Sequence, residues 1–440
     1  VGPGDARRTR PGPTAYASYV RERVVGMDPS RAASEVPRRI AVLVPNPQLR
    51  GGGEKHGLAI AVALSQVAEV TVVTDGLEAL DEAGRFHNLD LSRCTVVPLR
   101  RGRSVPLRAA YRAQVPVPYL RRLQNWEDYR DLRRLGFDMF VNVGFESTLK
   151  NPSPRGIFVC MFPHRPAELL WTESARRATA RADRFARVIG GTSLVLSDSY
   201  QQIVTNSTFT AQWLRRWWGV TADAVIFPPC EDMRRPQIPR ARSILNVGRF
   251  VADVGDTLLK RQDVLVDAFA QLTELHGAGW TLDLVGPVHD EGPSRAAVAA
   301  LKERAAGLPV RFHEAIDHAE LVRLMNQARI YWHATGLGSD PEVNPGNQEH
   351  FGMSTVEAMS AGAVPIVLDT AGARDSVRHG IDGIRWTTVP ELLSATREVA
   401  LDESRWATLS REAMVGARRF SREAFDRATL GLLTSLGGMS

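Results

Sequence analysis

The residues best suited to chemistry are two glutamates, Glu349 and Glu357, in a stretch that predicts an acidic loop, a short helix and a buried strand. Ser354 can accept the backbone N–H three residues on, while the Glu357 carboxylate accepts the N–H of Ser354. This spacing predicts a capping box that starts the helix. Gly362 predicts that this helix ends at a residue in the left-handed conformation. Two carboxylates across a loop and a first helical turn could hold ligand hydroxyls.

The predicted helix start also offers a site for an anion. A helix that opens at Gly352, Met353 and Ser354 leaves N–H groups without intrahelical acceptors and a partial positive charge at that end. Phosphate groups bind such helix ends. A helix end next to two acids that can hold hydroxyls therefore suits a nucleotide sugar. The spacing alone leaves a second interpretation open, in which Glu357 is only the cap partner and Glu349 is a solvated loop acid.

Two basic residues are expected at a strand end and a helix start further up the chain. The apolar run over residues 243–250 predicts a strand that ends in Gly248 and Arg249, and Lys260 begins the next predicted helix. Arginine with its planar fork and lysine as a point charge could neutralise a diphosphate leaving group.

A glycine-rich segment, residues 51–56, follows the buried strand predicted over residues 40–44 and precedes a helix from about residue 57. Gly52 and Gly53 would let the backbone approach a ligand closely, although a plain tight turn fits the pattern equally well. The segment matches neither the dinucleotide fingerprint nor a Walker A loop, so NAD and ATP chemistry are not supported.

One histidine is a candidate for the reacting centre. His164 follows the strand predicted over residues 156–161, at the edge where open α/β sheets bind ligands. A structural role is the alternative. Four other histidines lack metal-ligand spacing and are interpreted as structural: His289, His313, His318 and His333.

The stretch from Glu349 to Glu357 resembles the E-x7-E signature of the retaining glycosyltransferases of family 4. Phe351-Gly352 follows the first glutamate, and Glu357-Ala358-Met359 surrounds the second, as in that family. The resemblance covers residues 39 to about 428. It implies an α/β protein of GT-B architecture, with two Rossmann-like domains that face a cleft.

The resemblance also implies roles for residues of this chain. Glu349 would hold sugar hydroxyls, Glu357 the ribose hydroxyls, and His164 would lie near the reacting sugar. Arg249 and Lys260 would neutralise the diphosphate, which completes the catalytic candidates. The donor-binding candidates are Glu357, His350, Phe351, Gly352, Met353, Ser354, Gly52, Gly53 and Gly248.

Composition and proline content suggest the domain organisation. Residues 1–38 are rich in Arg, Gly, Pro and Ala and predict a flexible basic arm. We expect an acceptor domain over residues 39–235 and a donor domain over residues 236–415, joined by a proline-rich linker. A carboxy-terminal helix, within residues 416–440, is expected to cross back to the first domain.

The 440 residues are 44% hydrophobic, which suits two soluble domains. Three cysteines without metal-ligand spacing, Cys94, Cys160 and Cys230, favour a reducing compartment, so we expect a cytoplasmic protein.

A net charge of +6 fits a phosphate-bearing substrate or peripheral contact with the anionic inner face of the plasma membrane. The basic segment over residues 100–122 fits membrane contact or a solvated face. No nucleic-acid partner is expected, because no nucleic-acid motif accompanies the basic residues.

The predicted activity is that of a retaining, metal-independent hexosyltransferase without a cofactor. Its co-substrate would be a nucleotide-diphosphate sugar, with GDP-mannose as the leading donor and a UDP-sugar as the alternative. The acceptor would be a glycan, a lipid-linked glycan or a small molecule, in surface glycan or glycolipid biosynthesis. A catalytically silent nucleotide- or sugar-binding protein and a GT-B epimerase or phosphorylase are the competing interpretations.

Overall fold

The computed structural model describes residues 37–47, 51–74, 78–99, 117–144, 147–164, 199–252, 260–289 and 292–437. Three predicted features lie wholly or largely outside these ranges: the amino-terminal arm 1–38, the basic segment 100–122, and the loop between Phe250 and Lys260.

The first seven strands form one parallel sheet in the order β3-β2-β1-β4-β5-β6-β7. Short, continuous apolar runs form these strands because both faces of the sheet are covered. Their bounds are β1 (Arg39–Leu43), β2 (Glu69–Thr74), β3 (Cys94–Pro98), β4 (Met139–Asn142), β5 (Arg155–Cys160), β6 (Gln202–Thr205) and β7 (Ala224–Val225).

The remaining six strands form a second parallel sheet in the order β10-β9-β8-β11-β12-β13. They are β8 (Ser243–Val247), β9 (Thr281–Val285), β10 (Val310–His313), β11 (Ile330–His333), β12 (Val364–Leu368) and β13 (Ile384–Trp386). Each sheet thus has the doubly wound Rossmann order, with a switch point where its central strands diverge. The predicted fold class, two Rossmann-like α/β domains, is confirmed.

Helices cover both sheets. In the first half they are α1 (Gly52–Leu64), α2 (Glu78–Phe86), α3 (Val117–Leu135) and α4 (Thr208–Trp218). In the second half they are α5 (Gln262–Ala270), α6 (Thr273–Gly277), α7 (Pro293–Arg304), α8 (His318–Gln327), α9 (Met353–Ala361), α10 (Ala373–Ser376), α11 (Val389–Leu401), α12 (Glu403–Ala417) and α13 (Arg422–Gly437). None of the helices in the described ranges is long and apolar enough to cross a bilayer.

The last helix returns to the first sheet. Phe425, Leu432 and Leu433 of α13 are buried in the same hydrophobic cluster as β1 and α1. The Phe425 ring meets the His56 ring of α1 edge-on, with 5.4 Å between ring centroids. The chain therefore closes the first core with its carboxy-terminal segment.

Two local predictions were wrong. Helix α1 begins at Gly52 and not near residue 57, so the predicted glycine loop supplies its first turn. The capping box at Ser354 and Glu357 does not form, because α9 starts after Gly352 with no side-chain cap. The predicted helix end is confirmed, since Gly362 has the left-handed φ of 89°.

Candidate functional site

The predicted site residues lie where the carboxyl ends of the two sheets face each other. Gly52 at the start of α1 comes against Met353 at the start of α9, and a Cβ atom at Gly52 would lie 3.1 Å from the Met353 sulfur. Glycine therefore permits this close approach of the two helix ends. The cleft brings together the glycine-rich segment, which was predicted to approach a ligand, and the helix start that was predicted to bind an anion.

Glu349 is held by two donors from its own domain. Lys260 Nζ lies 2.7 Å from Glu349 Oε2, and both side chains are 18% exposed. His333 Nε2 lies 3.3 Å from the same oxygen. Burial alone would raise the pKa of Glu349, but the Lys260 charge and the His333 hydrogen bond outweigh it and hold the pKa well below its ordinary value of 4.5. Glu349 is thus an ionised, anchored carboxylate.

Glu357 is paired across the cleft with Lys55, which sequence analysis did not assign to the site. Lys55 Nζ of α1 lies 2.6 Å from Glu357 Oε1 of α9, and the side chains are only 14% and 11% exposed. Burial lowers the pKa of Lys55, yet the facing carboxylate more than compensates and the net pKa is raised. Each of the two glutamates is therefore paired with a lysine, and the sequence contains four lysines in all.

The start of α9 is shaped by a glycine and a polar contact. Gly352 has a φ of 89°, a left-handed conformation that suits glycine. The Ser354 hydroxyl lies 2.7 Å from the Tyr331 hydroxyl of β11, so it is used for packing and not as a cap. The N–H groups of Thr355 and Val356 donate to the Gly352 carbonyl at 3.1 and 3.4 Å. Those of Met353 and Ser354, at the first two helical positions, have no preceding helical carbonyl to bind.

The predicted diphosphate residues lie at the end of β8 and before α5. A Cβ atom at Gly248 would come within 2.9 Å of Lys260 Cγ, so glycine lets the lysine pass towards Glu349. Gln262 of α5 donates to the carbonyls of Gly248 and Arg249 at 3.2 and 3.3 Å. Arg249 is exposed, and its guanidinium makes no hydrogen bond to a described residue. The structure brings Lys260, but not Arg249, to a carboxylate.

Two histidines take up different positions beside the cleft. The His350 ring stacks on Phe162 of the first domain at 4.3 Å between centroids and 9° between planes. Burial lowers the pKa of His350 from 6.5 to about 4, so this ring is neutral at pH 7. His164 packs its ring on Trp218 at 4.6 Å, and its carbonyl accepts the Trp218 indole N–H.

Phe351 lies in a hydrophobic cluster that joins the segment after β7 to the chain after α12. Its ring is 5.6 Å from the Phe227 ring and 5.1 Å from the Phe420 ring. With 3% of its surface exposed, the side chain belongs to the core. A ligand contact from Phe351 would therefore come from its backbone.

Further contacts tie the two domains together beside the site. Asp375 of α10 accepts hydrogen bonds from the backbone N–H of Thr208, at 2.8 Å, and from the Thr208 hydroxyl. On the surface, Arg216 of α4 pairs with Glu342 in the loop after β11. Among the described residues, a buried ion pair, the stacking of His350 on Phe162 and Phe209, and surface contacts therefore join the two sides of the cleft.

Sequence reasoning missed Lys55 and His333, although each left a signal. Lys55 is one of four lysines in the chain and follows the three glycines. His333 ends β11, the same kind of strand-end position that singled out His164. Among the described residues, no group of three or more His, Cys, Asp or Glu side chains has the arrangement of a metal site.

Comparisons with known proteins bear on the fold and on the family of the second domain. Residues 235–401 match the family model described as glycosyl transferases group 1. The architecture is similar to that of solved glycosyltransferase structures, which shows the GT-B fold. Anabaena HepE, solved with UDP and glucose, has a TM-score of 0.61 at 16% identity, covering 90% of this chain and 100% of that one. WaaG, a glycosyltransferase involved in lipopolysaccharide biosynthesis, has a TM-score of 0.57 at 15% identity, covering 90% and 99%.

Two curated sequence relatives share one name. The GDP-Man:Man(3)GlcNAc(2)-PP-Dol alpha-1,2-mannosyltransferase of Dictyostelium discoideum is 24% identical over 255 residues, which are 53% of this chain and 47% of the relative. The protein of the same name from Neurospora crassa is 24% identical over 271 residues, or 53% and 45%. The chain spans about half the length of the curated relatives it matches.

Proposed function

We propose that this protein is a retaining hexosyltransferase that moves a sugar from a nucleoside-diphosphate sugar to an acceptor hydroxyl without a metal ion. The observation that carries the proposal is the pair of glutamates, Glu349 and Glu357, each neutralised by a lysine beside the helix end of α9. A donor placed there would meet carboxylates for its hydroxyls and N–H groups for its phosphates.

The charges of the site suit a departing diphosphate. Negative charge grows on the leaving phosphate in the transition state, and preorganised cations and helix N–H groups stabilise it. Arg249, Lys260 and the first turn of α9 would supply this countercharge. Lys260 would then be shared between Glu349 and the phosphate, since its ammonium group has three donors.

Retention of configuration follows from a reaction on one face of the sugar. Glu349 Oε2 is tied to Lys260 and His333, which makes this carboxylate a weak nucleophile. We therefore favour attack by the acceptor on the face that the diphosphate leaves, with the leaving phosphate as base. The anomeric proton of the product, observed by NMR, would distinguish retention from inversion.

The leading donor is GDP-mannose. The names of two relatives specify GDP-Man and the glycan Man(3)GlcNAc(2)-PP-Dol, which supports mannosyl transfer to a lipid-linked glycan. A UDP-sugar is the second candidate, because HepE was solved with UDP.

We place the protein in the cytoplasm, where its net charge of +6 would favour peripheral contact with an anionic membrane.

Thermal unfolding with GDP, UDP, ADP and their sugar conjugates, without added metal, tests this proposal. Ligand at a hundred times its dissociation constant should stabilise the protein by about 2.7 kcal/mol. We expect GDP and GDP-mannose to raise the melting temperature of the wild type but not of Glu357→Gln. A response to UDP alone would change the donor, and no response to any nucleotide would favour the catalytically silent protein. Release of product with orthophosphate would indicate a phosphorylase.

A substitution at Arg249 tests the diphosphate site separately. Arg249→Ala should weaken nucleoside-diphosphate binding by about 1.5–3 kcal/mol, the loss expected for a hydrogen bond to a charged group. Calorimetric titration with GDP measures this loss. Arg411→Ala is the matched control, since Arg411 is 65% exposed on α12 and pairs with its neighbour Glu412. Equal affinities in the two variants would contradict the role of Arg249.

A further inference from the structure

We infer that His333 is a positioning residue that anchors one oxygen of Glu349 and so aims the other oxygen at the donor sugar. The inference rests on the proposed function for its last step, the contact between Glu349 and a sugar. Its first step, the anchoring of the carboxylate, is independent of any ligand.

The backbone of His333 is fixed by the sheet. Strand β11 lies between β8 and β12, and His333 pairs with Val367 in the parallel register. Side chains alternate along the strand. Trp332 is buried in the core on one face, while Tyr331 contacts the start of α9 on the other. His333 shares the face of Tyr331, which brings its ring to the loop that ends at Glu349.

The two hydrogen bonds to the Glu349 carboxylate reach the same oxygen. Lys260 Nζ and His333 Nε2 both lie against Oε2, at 2.7 and 3.3 Å. In the part of the chain that the structure describes, no hydrogen bond reaches Oε1. Two donors from different elements therefore fix the rotation of the carboxylate and leave Oε1 as the oxygen that can accept a ligand hydroxyl.

The surroundings of His333 also determine its tautomer. Only 3% of the residue is exposed, and Nδ1 is buried without a hydrogen-bond partner among the described residues. A proton on Nδ1 would leave a buried donor unsatisfied, which is unfavourable. Nε2 is therefore the nitrogen whose N–H donates to Glu349.

Three variants separate positioning from packing. His333→Gln can place an amide N–H near the position of Nε2, His333→Asn carries the same amide too short to reach Glu349, and His333→Leu has no donor. Among the described residues, the titratable groups that interact with Glu349 are Lys260, His333, His350 and Tyr331. All except His333 are unchanged in these variants.

The first measurement is the acid denaturation of the nucleotide-free proteins. Loss of the His333 bond raises the pKa of Glu349, so we expect the Leu and Asn variants to unfold at higher pH than the wild type. His333→Gln should restore the wild-type profile. A loss of stability that is the same at every pH, or no rescue by glutamine, would mean that His333 only fills space.

The second measurement compares the dissociation constants of GDP-mannose and GDP. If Oε1 contacts the sugar, the Leu and Asn variants should lose about tenfold or more in affinity for GDP-mannose, with GDP affinity unchanged and with rescue in the Gln variant. If the variants lose the same affinity for GDP-mannose and for GDP, His333 does not orient Oε1 towards the sugar. Failure of the wild type to bind either ligand would reject the proposed donor, while acid denaturation would still decide whether His333 anchors Glu349.

Discussion

Replacing Lys260 with methionine is expected to lower the free energy of unfolding by about 3 kcal/mol, because the change leaves a mostly buried carboxylate without its countercharge. Lys260 and Glu349 are each only 18% exposed, so water cannot replace the lost partner. Under the proposed function Lys260 would also stabilise the leaving group, so sugar transfer should fall by about 10²-fold or more. Chemical denaturation at pH 7 and initial rates measure the two effects.

Lys302 supplies a matched control for this substitution. It also pairs with a glutamate, Glu314, but the lysine side chain is 50% exposed. Exposed pairs contribute less than about 1 kcal/mol, so Lys302→Met should have little effect on unfolding and none on transfer. If Lys260→Met destabilises the protein no more than Lys302→Met, the buried pair is not stabilising.

The same pair predicts a dependence on pH. The pKa of Glu349 in the folded protein lies below its ordinary value of 4.5. Its contribution to stability is therefore complete above pH 4.5 and is lost as the pH falls through the folded pKa. In Lys260→Met the remaining carboxylate is protonated more easily, so the difference between variant and wild type should shrink between pH 7 and pH 4.5. Denaturation at the two pH values tests this.

Replacing Lys55 with methionine should have a comparable effect, about 3 kcal/mol, because Glu357 then stays buried and unpaired between the domains. The pair has exposures of 14% and 11% and joins residues that are 302 positions apart. The double variant Lys55→Met with Glu357→Gln removes both charges and should recover most of the loss. It should not recover GDP binding if Glu357 holds the ribose.

An exposed pair across the same cleft is the control. Arg216 and Glu342 are 55% and 64% exposed, so Glu342→Gln should change the free energy of unfolding by less than about 1 kcal/mol. Small-angle scattering should show a wider cleft for Lys55→Met than for Glu342→Gln. Identical scattering and identical stability in the two variants would contradict a stabilising role for the buried pair.

The fold was predictable because parallel strands buried on both faces appear as continuous apolar runs. The run at residues 40–44 became β1, with bounds shifted by one residue. The start of α1 was not predictable, since glycine disfavours helices. Here Gly52 is helical where it lies against Met353, a tertiary contact that local sequence does not show.

The two acids of the candidate site were predicted from the sequence, but their pairing with other residues was not. The spacing of Ser354 and Glu357 fits a capping box, yet Ser354 contacts Tyr331 and Glu357 pairs with Lys55. Both partners come from distant parts of the chain, so helix periodicity cannot show them. The resemblance to a known family implied roles for Glu349, Glu357 and Lys260. The three-dimensional structure adds Lys55, His333 and the pairing of Lys260 with Glu349.

The return of α13 to the first sheet has a consequence for synthesis on the ribosome. The first domain emerges before the second, but the face of α1 that Phe425 covers stays open until α13, Arg422–Gly437, has been made. The second domain has its complete set of strands, through Trp386, before that helix appears. The domain that is translated first is therefore completed last, and translation that stops after the second domain would leave an apolar surface exposed to chaperones or aggregation.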